Sequence, residues 1–274
     1  MKARETTKVH DVTVDSIHDF KVCELFYRYR YIDELREPMF SRDLLVQKFE
    51  NTLYKIASYF FYKKQAGLVP SYRAILNRWE KLWFPKDMTA YDMAVQKNDI
   101  STGNLASFSN VATAALETFY EDFASDQRIP VVIAEDFLVP LRKDIRLHGK
   151  IDLMLKSNDN VYSIIKWGGR QRKPDRGYLG MDFAALKLAI QHQHGQDAQV
   201  DLNLYHLASP KNSFLEIEQP QQSDLNGLLY WANKVGDTQI HIPRRGYTTY
   251  CKTCPFDEEC SKFDGWPQSN IEIG

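Results

Sequence analysis

The sequence predicts an α/β protein in which a helical first half is followed by short strands that alternate with helices. Long apolar periodicity with few breakers extends to about residue 126, which is typical of helices. From Pro130 onward the chain consists of short runs rich in β-branched residues, separated by polar turns. Neither a repeat nor a low-complexity linker interrupts this order, so the sequence does not demand separately folding domains.

The first half of the chain predicts four helices. One occupies residues 12–35 and begins near Asp15 or Ser16, because a short polar cap precedes an apolar and aromatic face. Cys23 would lie inside this helix or just after it. The other three are predicted over residues 41–64, 71–82 and 105–123.

The second half predicts a small antiparallel meander and a helix, followed by further strands and a last helix. The runs VVIAEDFLVPL, HGKIDLMLK and VYSIIKW form the meander, and MDFAALKLAIQHQH has helical spacing. VDLNLYHLA alternates like a strand, FLEIEQ is a plausible edge strand, and SDLNGLLYWANKV is a capped helix.

Composition bounds the classes of function. The chain has 274 residues and 43% hydrophobic content, which is enough for one large core or two modest ones. No run approaches the roughly 20 apolar residues that span a bilayer, and the polar start lacks a signal-peptide core, so we expect a cytoplasmic protein without a membrane partner.

The formal net charge of −1 excludes a global basic field, so any contact with nucleic acid must be local. Arg170, Arg172, Lys173 and Arg176 form the candidate patch for nucleic acid. Solvated loop charges explain such a patch equally well.

The four cysteines are the most informative residues. Cys251, Cys254 and Cys260 cluster near the end of the chain, whereas Cys23 stands alone near its start. Two residues between Cys251 and Cys254 let one turn direct both sulfurs at the same centre. Cys23 is the only remaining cysteine, so it would have to complete a four-thiolate site and connect the first helix to the C-terminal loop.

Three interpretations of the cysteines compete. An isolated first ligand favours a four-thiolate iron-sulfur cluster, with a structural zinc ion as the alternative, because zinc sites commonly use two paired knuckles. Disulfides are disfavoured in a cytosolic chain. The remaining possibility is four unrelated buried cysteines.

The segments CELFYRYRYI around Cys23, GKIDLML around Asp152 and CKTCPFDEEC at the end together resemble RecB-type PD-(D/E)XK nucleases with a C-terminal four-cysteine cluster. That group includes the AddB subunit and CRISPR-associated exonucleases. The resemblance implies a restriction-endonuclease-like core with a mixed sheet flanked by helices, and a 4Fe-4S cluster on Cys23, Cys251, Cys254 and Cys260. It divides the chain into an N-terminal helix (1–40), a helical insertion or lid (41–128), a nuclease core (129–245) and a cluster-binding segment (246–274).

The resemblance also implies a metal-dependent active site, for which this sequence lacks residues. Asp152 occupies the first acidic position and would help to hold Mg²⁺ or Mn²⁺. Counted along the hairpin, Ile165 and Trp167 take the positions of the second acid and the lysine, and neither side chain can perform that chemistry. A slip of one residue would place Lys166 on the catalytic face, with Ile164 two residues before it.

A second carboxylate could come from elsewhere in the chain. Glu135 is the best candidate, because it lies on the preceding predicted strand and could bind a metal weakly with Asp152. An exposed strand residue or a salt-bridge partner is an equally good interpretation of Glu135.

The sequence therefore leaves three functions open. The first is a degenerate nuclease-fold iron-sulfur protein of DNA metabolism, which binds single-stranded DNA, duplex ends or a partner protein. The second is an active Mg²⁺- or Mn²⁺-dependent DNA exonuclease whose ligands have migrated. The third is a non-catalytic scaffold protein with the same architecture.

Overall fold

The computed structural model describes residues 9–35, 41–87, 102–158, 161–168, 176–208, 214–216, 219–242 and 249–263. The chain forms two units. Unit 1 comprises residues 1–38, 138–148 and 222–274, and unit 2 comprises residues 39–137 and 149–221.

Eight α-helices and six strands are present in the described ranges. The helices are α1 (Val14–Val22), α2 (Glu24–Tyr31), α3 (Ser41–Gln65), α4 (Tyr72–Trp83), α5 (Thr102–Ala124), α6 (Arg176–His194), α7 (Gln222–Asp237) and α8 (Asp257–Ser261), and a 3₁₀ helix occupies Thr249–Thr253. The strands are β1 (His10–Val12), β2 (Ile129–Arg142), β3 (Ile145–Asn158), β4 (Val161–Gly168), β5 (Gln199–His206) and β6 (Phe214–Glu216).

The strands form a mixed sheet in the order β1-β3-β4-β5-β6, and β2 also pairs with β3. Strand β3 is antiparallel to β4, with Leu153 opposite Ile165. Strand β4 is parallel to β5, and α6 supplies the crossover that a parallel pair requires. The mixed α/β architecture predicted from the sequence is confirmed.

The core of unit 2 joins the helices of its first half to the sheet. Rings of α3 and α5, including Phe61 and Phe119, pack with Trp167 of β4 and Tyr205 of β5. Phe119 and Tyr205 meet edge to face with ring centroids 6.2 Å apart, an arrangement that aromatic pairs favour. Helices α3, α4 and α5 therefore share one hydrophobic core with strands of this unit.

The predicted first helix is two helices in the structure. Thr13 caps α1, and its side chain accepts a hydrogen bond from the backbone N–H of Ser16 while the Ser16 hydroxyl accepts from the N–H of Thr13. Cys23 then adopts an extended backbone with φ −160° and ψ 119°, which ends α1 before α2 begins. The helix start near residue 15 was predicted correctly, but the break at Cys23 was not.

Among the described helices, none has a stretch long and apolar enough to cross a lipid bilayer.

Candidate functional site

The first cluster of chemically distinctive residues lies in unit 1 and begins with Cys23. The extended backbone of this residue places it at the junction of α1 and α2. Its N–H donates to the carbonyl of Asp19 at 2.9 Å, and its own carbonyl accepts from Tyr27 at 3.0 Å. Cys23 therefore makes the last backbone hydrogen bond of α1 and accepts the first of α2.

The other three cysteines lie on tight local turns. Cys251 belongs to the 3₁₀ helix, Cys254 follows it, and Cys260 belongs to α8. The N–H of Cys254 donates to the carbonyl of Cys251 at 3.5 Å, and the N–H of Cys260 donates to Phe256 at 2.8 Å. Hydrogen bonds of this local kind bring the thiols of a short segment to one side of a loop.

All four cysteines line one cavity of about 200 Å³. Leu25, Tyr29 and Phe256 form a small buried cluster beside it, against which Cys23, Cys254 and Cys260 pack. This cluster is fastened by the Tyr29 hydroxyl, which donates to the carbonyl of Glu259 at 3.2 Å. The structure therefore brings the lone N-terminal thiol to the C-terminal three.

The thiols are half-buried and free of disulfides. Burial raises the pKa of Cys254, the N–H of Phe256 opposes that rise, and negative charge on Cys23 and Cys251 adds to it. Within the described residues, no three histidine, cysteine, aspartate or glutamate side chains lie close enough together to hold a single metal ion.

The second cluster lies in unit 2 and centres on Asp152 of β3. Its Oδ2 accepts a hydrogen bond from the backbone N–H of Trp167 at 3.0 Å. Gly149, three residues earlier, lies against the ring of Phe137, and a Cβ at this position would approach Phe137 Cε1 to 2.7 Å. A larger residue at this position would require the Phe137 ring to move, which favours glycine as the first residue of the Gly-Lys-Ile-Asp segment.

The pairing of β3 with β4 decides which residues share a face with Asp152. Leu153 pairs with Ile165 and Met154 with Ile164, so the same register places Lys166 opposite Asp152. Ile165 and Trp167 instead belong to the hydrophobic core. The prediction that Ile165 and Trp167 occupy the positions of the second acid and the lysine is therefore corrected. The observed register instead places Lys166 on the same face as Asp152, which is the alternative predicted for a slip of one residue.

Lys166 forms an ion pair with Asp182 of α6. Both groups are largely withdrawn from solvent, since their side chains are 28% and 13% exposed. The ammonium of Lys166 and the carboxylate of Asp182 both act electrostatically on Asp152. One cation therefore lies among two carboxylates in a partly buried setting.

The pKa of Asp152 is raised above its usual value of 3.8. Burial is the largest cause, and the nearby Asp182 carboxylate adds to it. The positive charge of Lys166, the N–H of Trp167 and the charge of Lys150 oppose the rise without cancelling it.

The family model of the PD-(D/E)XK nuclease superfamily matches residues 11–261, which include both clusters. The chain belongs to the PD-(D/E)XK nuclease superfamily. Among solved structures, it is similar to a candidate exonuclease from Eubacterium rectale, with 12% identity, 93% of each chain covered and a TM-score of 0.47. It is also similar to the protein SSO0001, with 12% identity, 95% of this chain and 89% of the other covered, and a TM-score of 0.38. No curated protein matches the sequence.

The residues around Asp152 do not fit the divalent metal that this nuclease superfamily implies. On the face of Asp152, β4 carries Ile164, Lys166 and Gly168, none of which offers the hard oxygen that Mg²⁺ or Mn²⁺ prefers. Asp182 supplies a second carboxylate, but its charge is already compensated by the ammonium of Lys166. The cation beside these two carboxylates is therefore the ammonium of Lys166.

Glu135 is exposed on β2, and it is not among the charges that shift the pKa of Asp152. Its role as a metal ligand stays a prediction. The basic patch for nucleic acid lies outside the described residues at Arg170, Arg172 and Lys173, and of Arg176 only the backbone at the start of α6 is described.

Asp182 was not predicted as a site residue, because only the helical spacing of MDFAALKLAIQHQH was recognised in this segment. It is buried to 9% exposure within a run of buried residues from Met181 to Leu186. A single acid in such a run is the available signal, because a charge is rarely buried without a partner.

Proposed function

We propose that this member of the nuclease superfamily is a DNA-binding iron-sulfur protein that does not cleave DNA. One observation carries the proposal, namely the ion pair of Lys166 with Asp182 beside Asp152. In an active site of this superfamily, the corresponding space needs a divalent cation to fix water and to stabilise negative charge on the phosphate.

The ammonium of Lys166 supplies part of the positive charge that a divalent cation would bring, but it cannot fix or activate a water molecule as a metal does. It neutralises the carboxylates, but it offers no coordination sites and cannot lower the pKa of a bound water as a metal does. The backbone N–H of Trp167 already occupies one oxygen of Asp152, at 3.0 Å. The chain therefore keeps the fold while its acids serve an internal ion pair.

Cys23, Cys251, Cys254 and Cys260 would hold the iron-sulfur cluster. A tetrahedral zinc ion with Zn–S bonds of about 2.3 Å requires its sulfurs to converge to roughly 3.8 Å from one another. The thiolates of a four-iron cluster instead bind separate irons around a cube, and the four cysteines that line one cavity would supply that set of ligands. When bound, such a cluster supplies a cross-link between the N-terminal helices and the C-terminal segment.

DNA binding without cleavage is the activity that remains. The superfamily acts on nucleic acid, and the fold can present a strand without hydrolysing it. A protein partner is the second candidate, since the near-neutral net charge does not by itself attract DNA.

A hydrolysis assay tests the proposal. Labelled single-stranded and duplex DNA would be incubated with the protein and Mg²⁺ or Mn²⁺, while a gel-shift titration measures binding under the same conditions. We expect retention of labelled DNA in the gel without shortening of either substrate. Cutting that disappears in Asp152→Ala would overturn the proposal and establish a metal-dependent exonuclease instead.

A further inference from the structure

A second surface of unit 2 has a composition that the Asp152 site does not explain. It is a groove of about 630 Å³ along one face of α3, completed by residues of α4 and β3. Residues of α3 from Asn51 to Lys63 recur in it at intervals of three and four, so they form a continuous stripe opposite the buried face of the same helix. We name this surface the α3 groove.

The α3 groove carries four cations and no acid among its described lining residues. The cations are Lys55, Lys63, Arg78 and Lys150, and all four are exposed. In a chain whose formal net charge is −1, such a one-signed surface is a local attraction for anions.

Three tyrosines of α3, Tyr54, Tyr59 and Tyr62, line the groove together with the cations. Tyr62 is 52% exposed, and its hydroxyl donates to the carbonyl of Ile133 at 3.0 Å, so an exposed ring is held in one orientation. The guanidinium of Arg78 lies over the ring of Tyr59, 4.5 Å from its centroid. Rings fixed beside cations form a surface on which bases can stack while phosphates are neutralised.

The α3 groove adjoins the carboxylate–lysine cluster formed by Asp152, Lys166 and Asp182. Lys150 lines the groove and also acts on the pKa of Asp152. Tyr54 lines it too, and burial together with the charges of Glu50 and Asp152 raises the pKa of its phenol. A nucleic-acid strand bound in the groove would thus pass close to Asp152 and Asp182, which we propose do not catalyse cleavage.

We propose that the α3 groove binds a single strand of nucleic acid, with its phosphates on Lys55, Lys63, Arg78 and Lys150 and its bases against the tyrosines. A single strand exposes the faces of its bases, whereas a duplex hides them in its own stack. This assignment rests on the proposed DNA-binding function, and it places the interface on the helical part of unit 2.

The test measures fluorescence anisotropy of labelled oligothymidylate over a series of salt concentrations. We expect Lys55→Ala combined with Lys63→Ala to reduce the slope of log K against log salt by about 1.4, because each phosphate contact on a single strand contributes about 0.7. Tyr62→Leu should weaken binding about tenfold at one salt concentration through lost stacking.

A matched control removes two exposed cations of α4 outside the groove, Arg73 and Lys81, as Arg73→Ala combined with Lys81→Ala. This variant should retain the slope of the unmodified protein. Thermal unfolding of each variant would establish that the compared chains are folded.

Each remaining outcome has its own meaning. Equal slopes for the groove and control variants would overturn this inference and leave DNA binding intact at another surface. Absence of binding to both single-stranded and duplex DNA would overturn the proposed function itself. Displacement of the oligonucleotide by polyglutamate as readily as by unlabelled oligonucleotide would assign the groove to an acidic protein instead.

Discussion

The cysteine cavity of unit 1 and the carboxylate–lysine cluster of unit 2 (Asp152, Lys166 and Asp182) differ in which of the expected ligand residues they contain. In the cavity, every residue needed for a four-thiolate site is present, and the fold brings the lone Cys23 to the other three. In the cluster, Asp152 remains while the neighbouring strand offers Lys166 in place of oxygen ligands. The comparison separates a cavity lined by four potential thiolate ligands from a cluster in which one carboxylate is paired with a lysine of the chain.

The difference follows from what each set of residues can still do. Thiolates are the usual ligands of an iron-sulfur centre, so loss of one cysteine should weaken such a centre. A carboxylate can instead be retained by pairing with an ammonium, because the pair satisfies both charges within the fold. The presence of the acids is therefore weaker evidence for catalysis. The presence of all four cysteines is stronger evidence for an iron-sulfur cluster.

The largest expected effect is that of Cys23→Ser on the cysteine cavity. Protein prepared without oxygen should be brown, with absorbance near about 400 nm, and the variant should lose most of this absorbance together with its iron and sulfide. Thr253→Ser, which changes another residue of the same cavity, should retain the colour. Colourless protein with stoichiometric zinc would place a mononuclear site there instead.

A smaller effect is expected from Asp182→Asn in the carboxylate–lysine cluster. The substitution leaves the partly buried ammonium of Lys166 without its ion-pair partner, and we expect a loss of about 2 kcal/mol in the free energy of unfolding. Denaturant titration would measure it against Asp237→Asn, which removes the exposed partner of Arg142. Equal stability of the two variants would show that the Lys166–Asp182 pair is no stronger than a surface contact.

The smallest effect is a pH dependence that belongs to Asp152. Because its pKa is raised in the folded protein, folding favours the protonated carboxyl, and this contribution to stability is lost as the pH rises above 3.8 through the folded pKa. Asp152→Asn keeps an oxygen for the N–H of Trp167 but does not titrate. Its stability relative to the unsubstituted protein should increase with pH over that range, and a constant difference would argue against a raised pKa.

Much of the fold could be predicted because its elements carry local signals. Ser71 accepts from the N–H of Ala74 and caps α4 where the sequence placed a helix start. The β-branched runs at Ile129–Arg142 and Val161–Gly168 are strands, as predicted. Strand β1 was missed, because three residues from His10 to Val12 carry too little alternation to be recognised without their partner β3.

The candidate site was less predictable, because its geometry depends on residues distant in sequence. The spacing of Cys251, Cys254 and Cys260 indicated a chelating loop by itself. The pairing of Lys166 with Asp182 depends on how α6 packs on the sheet, which no local pattern specifies. The face that Lys166 occupies likewise depends on a register in which one residue of slip exchanges the two sides of a strand.

Binding of Mn²⁺, followed through the loss of the paramagnetic signal of the free ion, tests the central claim that Lys166 stands in place of a metal between Asp152 and Asp182. The unsubstituted protein and the control Lys187→Met should bind no Mn²⁺ at this cluster, whereas Lys166→Met should gain one site per chain that Asp182→Asn removes again. A site in the unsubstituted protein that Asp182→Asn abolishes would contradict the claim, because the acids would then hold a metal beside Lys166.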